Sequence, residues 1–193
     1  RDAKRCRVIV SAIEHDSILD NLGQLRAAGF TVDVVKPCRK GFIAPEALES
    51  LLGRDVALVS IMLANNETGV VQPIEDLARA AHACGALFHT DAVQGWLHIP
   101  VDVQRLGVDA LSVAGHKVGG PVGIGALYLK NRTPLAPLFH GGGQERGLRP
   151  GTQDLRAILG FAAAARTAHA SLERDHARLL ELSQALYGRL ASS

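Results

Sequence analysis

Val56-Ala57-Leu58-Val59-Ser60-Ile61-Met62-Leu63, running straight into Ala64-Asn65-Asn66-Glu67-Thr68-Gly69, is the stretch on which the fold turns. Eight residues with a single hydroxyl among them form a continuous apolar run, and such a run suits a strand buried on both faces of a parallel sheet. It falls well short of the roughly 18 apolar residues needed to suggest a membrane span.

Working outward, Pro73-Ile74 begins a helical pattern through Leu77, Ala78, Ala81 and Cys84. Gly85 ends it, and Ala86-Leu87-Phe88-His89 reads as the next buried strand. Val108 to Val113 and Gly125 to Leu129 supply two more. Upstream, Val8 to Ala12 is a β-rich run leading into Ile18, Leu19, Leu22 and Leu25 at helical spacing, with Ala28-Gly29 as the stop. Thr31 to Val35 alternates as a strand, and Pro45 opens a helix carrying Leu48, Leu51 and Leu52. Strands alternating with helices predict a three-layer αβα domain around a mostly parallel mixed sheet, with ligand sites outside the carboxyl ends of the strands. From Asp154 the composition shifts to Ala, Leu, Arg and Glu in a helical pattern reaching about Leu190, as one long helix or two. Residues 1–153 therefore read as the sheet domain and 154–193 as a helical connection; the stop at Ser192-Ser193 reads as a cut within something longer.

The 193 residues are 47% hydrophobic and 21% charged, with a formal net charge of +2. Disorder is excluded for most of the chain, and no run of like charges marks a nucleic-acid or membrane tail. No signal-peptide pattern follows the opening residues, so the chain reads as cytoplasmic. Cys6, Cys38 and Cys84 are odd in number, far apart and free of any CxxC pair, which supports neither a disulfide framework nor a metal site.

Four strand ends carry polar residues that a purely structural sheet does not require: Glu14-His15, Asn65-Asn66-Glu67-Thr68-Gly69, His89-Thr90-Asp91-Ala92-Val93-Gln94 and Gly115-His116-Lys117. Taken singly, each has a structural reading: His15 and Asp91 as helix caps, Asn65 and Asn66 as a turn, Lys117 as a solvated cation. Together they meet the needs of pyridoxal phosphate. A lysine at a cramped, partly desolvated turn condenses with a carbonyl, a carboxylate holds a protonated ring nitrogen, and a flat histidine stacks on the ring. The stretch Gly119-Gly120-Pro121-Val122-Gly123-Ile124-Gly125 is not a dinucleotide loop, because Pro121 interrupts it and a strand follows; its glycines let the chain turn sharply beside a ligand. His140 to Thr152, glycine-rich with two arginines, reads as an anion-friendly loop.

These ordered motifs resemble the NifS-like cysteine desulfurases of the class V aminotransferase group, fold-type I pyridoxal-phosphate enzymes, over about Val8 to Ala168. The resemblance implies that Lys117 is the covalent anchor of pyridoxal 5'-phosphate, that His15 stacks on its ring, that Asp91 pairs with the pyridine nitrogen and that Gln94 bonds the phenolic oxygen. It implies further that Asn66 places the substrate, that His116 contributes near the phosphate, and that Thr152 reaches the phosphate of a neighbouring subunit in a homodimer. Lys117 and His15 would be the catalytic pair. Such enzymes take sulfur from L-cysteine, release L-alanine and pass a persulfide to an acceptor or scaffold protein for iron-sulfur cluster assembly or tRNA thiolation.

The chain departs from that pattern at Ala114, where the family commonly has a phosphate-binding serine; Ser112 lies too far back to match. By the same resemblance it lacks an amino-terminal phosphate loop and the small domain with the persulfide cysteine, so it is expected to be inactive alone. Two other readings share its motifs: another class V enzyme, such as an aminotransferase or selenocysteine lyase, and a non-catalytic dimerising relative. His82, His98, His169 and His176 take structural readings, while His89, two residues before Asp91, shares its strand face and is a candidate support beneath the cofactor.

Overall fold

The computed structural model describes residues 5–191; the outermost residues of both expected segments, 1–4 and 192–193, lie outside the described residues. Six strands form one sheet: β1 (Arg7–Ser11), β2 (Thr31–Val35), β3 (Val56–Ser60), β4 (Leu87–Asp91), β5 (Ala110–Ala114) and β6 (Gly125–Leu129), in the order β2-β1-β3-β4-β5-β6. The first five run parallel and β6 is antiparallel to β5, pairing Ala114 with Gly125. The carboxyl ends of β1, β3, β4 and β5 are thus contiguous. At the usual spacing of about 4.8 Å per strand they span about 14 Å, the scale of a small-molecule site.

Alternation along β1 divides the core. Ile9 joins Val59, Phe88 and Leu111 beneath α3 (Pro45–Glu49) and α4 (Ile74–Ala83), while Val8 and Val10 pack with Ile18 and Leu19 of α1 (Asp16–Leu19), Leu22 and Leu25 of α2 (Leu22–Ala27), and Phe30 just beyond it. Both faces are covered, which accounts for the unbroken apolar reading of Val56 to Leu63. α4 turns Ile74, Leu77, Ala78 and Ala81 inward, and Gly85 at φ +79° supplies the left-handed residue that sends the chain into β4.

Three expectations are adjusted. The helix after β1 is two short helices, because Asp20 and Asn21 interrupt it with capping geometry. A helix the pattern does not reveal, α5 (Val103–Leu106), is held by Asp102, whose carboxylate accepts the Gln104 and Arg105 N–H groups. The terminal pattern is one helix of 37 residues, α6 (Leu155–Ala191). Its first turns lie against the Lys117 turn: Phe161 meets Trp96 edge to face at 5.6 Å, and Gly160 faces Pro121.

Candidate active site

The rim at the carboxyl ends is assembled strand by strand. After β1, the Glu14 carboxyl is 5% exposed; its Oε1 accepts the Ser11 hydroxyl and, at 2.8 Å, the Met62 N–H. His15 is the N-cap of α1. Its Nδ1 accepts the Ser17 N–H at 3.1 Å, which leaves the ring proton of the neutral form on Nε2. After β3, the Asn65 side chain accepts from the Glu67 and Thr68 N–H groups and donates to the Ile13 carbonyl, closing a turn and tying it to the β1 end. Asn66 points outward, exposed and without a partner among the described residues.

At the end of β4, Asp91 Oδ1 accepts the Val93 N–H at 2.9 Å, shaping the turn that carries Gln94. After β5 a 3-10 turn, Gly115–Val118, presents His116 and Lys117. It is closed by Gly119 at φ +79° and by the Gly120 N–H donating to the Gly115 carbonyl. The glycines are steric requirements here, since a Cβ on Gly120 would stand 2.9 Å from that carbonyl oxygen and one on Gly125 would stand 2.6 Å from the Val113 oxygen. This turn therefore is cramped, as its sequence indicates. Lys117 itself is not desolvated, contrary to expectation: its side chain is exposed and its amine has no partner among the described residues.

Beneath Asp91 lies a polar file that crosses three strands. His89 Nδ1 meets the Ser60 Oγ and Nε2 meets the Ser112 Oγ, each at 2.8 Å. Burial pushes the imidazole below its ordinary 6.5, with the charge of Asp91 opposing. A neutral ring donates to one hydroxyl and accepts from the other, so His89 supports the face on which Asp91 stands. Ser112 is committed to this file, which leaves the Ala114 position without a substitute hydroxyl. Glu14 is lifted from 4.5 to about 7, chiefly by burial, against the lowering effect of the Ser11 and Met62 hydrogen bonds; the Asp91 charge adds to the lift.

The structural readings of His15 and Asn65 hold, whereas Asp91 caps a turn and not a helix, because residues 93–95 form a turn and the next helix is α5; the same residues nonetheless converge on one rim. Thr152 stands apart from it in the exposed segment between β6 and α6. His82 is structural, bonded to Asp109 at 2.8 Å. His98 is structural as well: its Nε2 donates to the Lys117 carbonyl at 3.1 Å and so braces the lysine turn. Sequence reasoning also left Glu14 without a role, although its place between a strand end and His15 was visible.

The family model for class-V aminotransferases matches residues 3–193. The chain belongs to that family. A cysteine desulfurase IscS of Dictyoglomus turgidum is 42% identical over 175 residues, covering 91% of this chain and 44% of that protein. A solved NifS-like protein superposes with a TM-score of 0.95 at 39% identity, over 99% of this chain and 53% of the other. SspA, solved in complex with cysteine, superposes at 0.81 with 41% identity, over 84% of this chain and 48% of its own. This class-V aminotransferase chain therefore spans about half the length of the relatives it matches, and the high superposition confirms the mostly parallel mixed sheet between helices.

The donor set fits the family's cofactor. Asp91 keeps one carboxylate oxygen outside its turn, and the Lys117 amine and Gln94 amide are both without protein partners among the described residues. A carboxylate, an amine and an amide left free on one 14 Å rim suit a flat ring with a cationic nitrogen and a reactive carbonyl.

Proposed function

We propose that this chain is the cofactor-binding part of a cysteine desulfurase that removes sulfur from L-cysteine with the aid of pyridoxal 5'-phosphate, releasing L-alanine and leaving an enzyme persulfide. The supporting observation is the contiguity of the β1, β3, β4 and β5 ends, which carry His15, Asn66, Asp91 with Gln94, and Lys117 respectively. Pyridoxal 5'-phosphate supplies an electron-withdrawing ring and an aldehyde carbon. Lys117 is the residue that would hold that carbon through its amine, and its Nζ is the atom that would carry a proton. The outer oxygen of Asp91 holds the ring nitrogen in its cationic form, and Gln94 donates to the phenolic oxygen. His15, fixed at Nδ1 by Ser17, would offer a flat face to the ring, His116 would contribute near the phosphate and Asn66 would help place the substrate. Thr152 completes the phosphate site of a second subunit, so the working form is a homodimer.

The choice of L-cysteine is supported by the relatives' names and by the cysteine complex of SspA. Cys6 and Cys84 precede β1 and β4, at the end of the sheet opposite Lys117, so neither is placed to receive sulfur. Cys38 follows β2, four strands and about 19 Å across the sheet from β5, and is no better placed; the receiving thiol is one that the family resemblance assigns to a further domain, and an acceptor protein takes the sulfur from it.

The test is borohydride trapping of the chain with pyridoxal 5'-phosphate, followed by peptide mapping. The label is expected on Lys117 and lost in Lys117→Ala. Folding should be unchanged in that variant, since the side chain is exposed and unpaired. Label distributed over surface lysines, or retained in Lys117→Ala, would overturn the reading.

A further inference from the structure

Among the described residues, the Glu14 carboxyl is the one with a buried side-chain oxygen left without a partner. Oε1 takes two hydrogen bonds, from the Ser11 hydroxyl and the Met62 N–H, whereas Oε2 has no partner among the described residues. Those bonds link the end of β1 to the segment following β3. One residue earlier, the Ile13 carbonyl accepts the Asn65 amide at 3.0 Å, so residues 13–14 are stitched to 62–65 just before His15. An ionised carboxylate here would leave one charged oxygen buried with no donor, which is costlier than leaving a neutral hydroxyl there.

We propose that Glu14 is a positioning residue: its buried carboxyl staples the His15 turn to the Met62–Asn65 segment, and its Oε2 carries a proton, so that Asp91 alone contributes negative charge at that point of the rim. The inference rests on the cofactor reading above, because a single negative charge beneath the rim matches a ring with one cationic nitrogen. The groups that face Glu14 are few. From β4 comes Asp91, with neutral His89 behind it; from its own turn come His15 and Asp16, both exposed; the Met62–Asn65 segment brings no titratable side chain.

The sign of the pH effect follows. Glu14 is raised in the folded chain from 4.5 to about 7, so its contribution to stability is complete below 4.5, declines as pH rises through this window and is gone above it. Glu14→Gln keeps the Oε1 acceptor and cannot ionise. Measured on the full 193-residue chain without added cofactor, the thermal midpoint of the wild type is expected to fall by about 4 °C or more relative to Glu14→Gln between pH 4.5 and 7, and no further above. In histidine-labelled NMR spectra, the His15 ring signal is expected to stay in place in Glu14→Gln and to move in Glu14→Asp, whose shorter stem cannot reach both Ser11 and Met62. Parallel pH profiles for wild type and Glu14→Gln would remove the proton from Oε2. An unmoved His15 signal in Glu14→Asp would remove the staple. Neither measurement involves the cofactor, so both can succeed while Lys117 labelling fails, or fail while it succeeds, and the two proposals are judged separately.

Discussion

Asp91 serves two ends with one side chain: Oδ1 fixes the Val93 turn while the other oxygen remains free at the rim. Substitution separates these uses. Asp91→Asn retains an acceptor for the Val93 N–H and is expected to unfold within about 0.5 kcal/mol of the wild type, whereas Asp91→Ala loses the bond and about 1 kcal/mol in denaturant titration. Both should lose cofactor affinity alike, which a spectroscopic titration with pyridoxal 5'-phosphate checks. Legibility at this scale followed a simple physical line. Asp91, His15 and Lys117 were visible because a polar residue ending an apolar run is conspicuous against its neighbours. The roles of Glu14 and His98 were not, because the partners that define them are distant backbone groups, the Met62 N–H 48 residues away and the Lys117 carbonyl, and backbone groups carry no letter in a sequence.

Among the elements, the strands were the most readable. Burial on both faces of a parallel sheet imposes an apolar run whose ends can be seen, and β6 coincides with its expected span. Short helices fared less well. α1, α2 and α5 have four to six residues each and are set by local caps such as His15 and Asp102 rather than by a periodic apolar face. The lysine turn is an element whose geometry is dictated by close backbone approach. Gly120→Ala would force a methyl to 2.9 Å from the Gly115 oxygen and is expected to cost about 1–3 kcal/mol. The same change should reduce borohydride labelling of Lys117, because the turn that presents the amine must open. A Gly120→Ala chain with wild-type midpoint and wild-type labelling would show that the contact is relieved elsewhere.

For the molecule as a whole, two titratable groups at one rim, buried Glu14 and half-buried His89, pull stability in opposite directions. His89 is held below 6.5 by burial, so its contribution is present above that value and is lost as the pH falls toward the lowered one, while that of Glu14 is lost as the pH rises toward 7. In a Glu14→Gln background, which removes the second effect, the thermal midpoint should still fall on acidification below pH 6.5. Adding His89→Asn should flatten that acid limb, at the expense of lowering the midpoint throughout through loss of the bonds to Ser60 and Ser112. The strand that carries His89 also ties assembly to chemistry. On β4, Phe88 and Thr90 face one way, fully buried, and His89 and Asp91 the other. Were the strand to pair one position out of step, the benzyl ring would be thrust between the Ser60 and Ser112 hydroxyls while an imidazole and a carboxylate entered hydrocarbon. A mispaired chain is thus penalised twice and disarmed at the same moment, so molecules that fold wrongly cannot linger as half-competent catalysts.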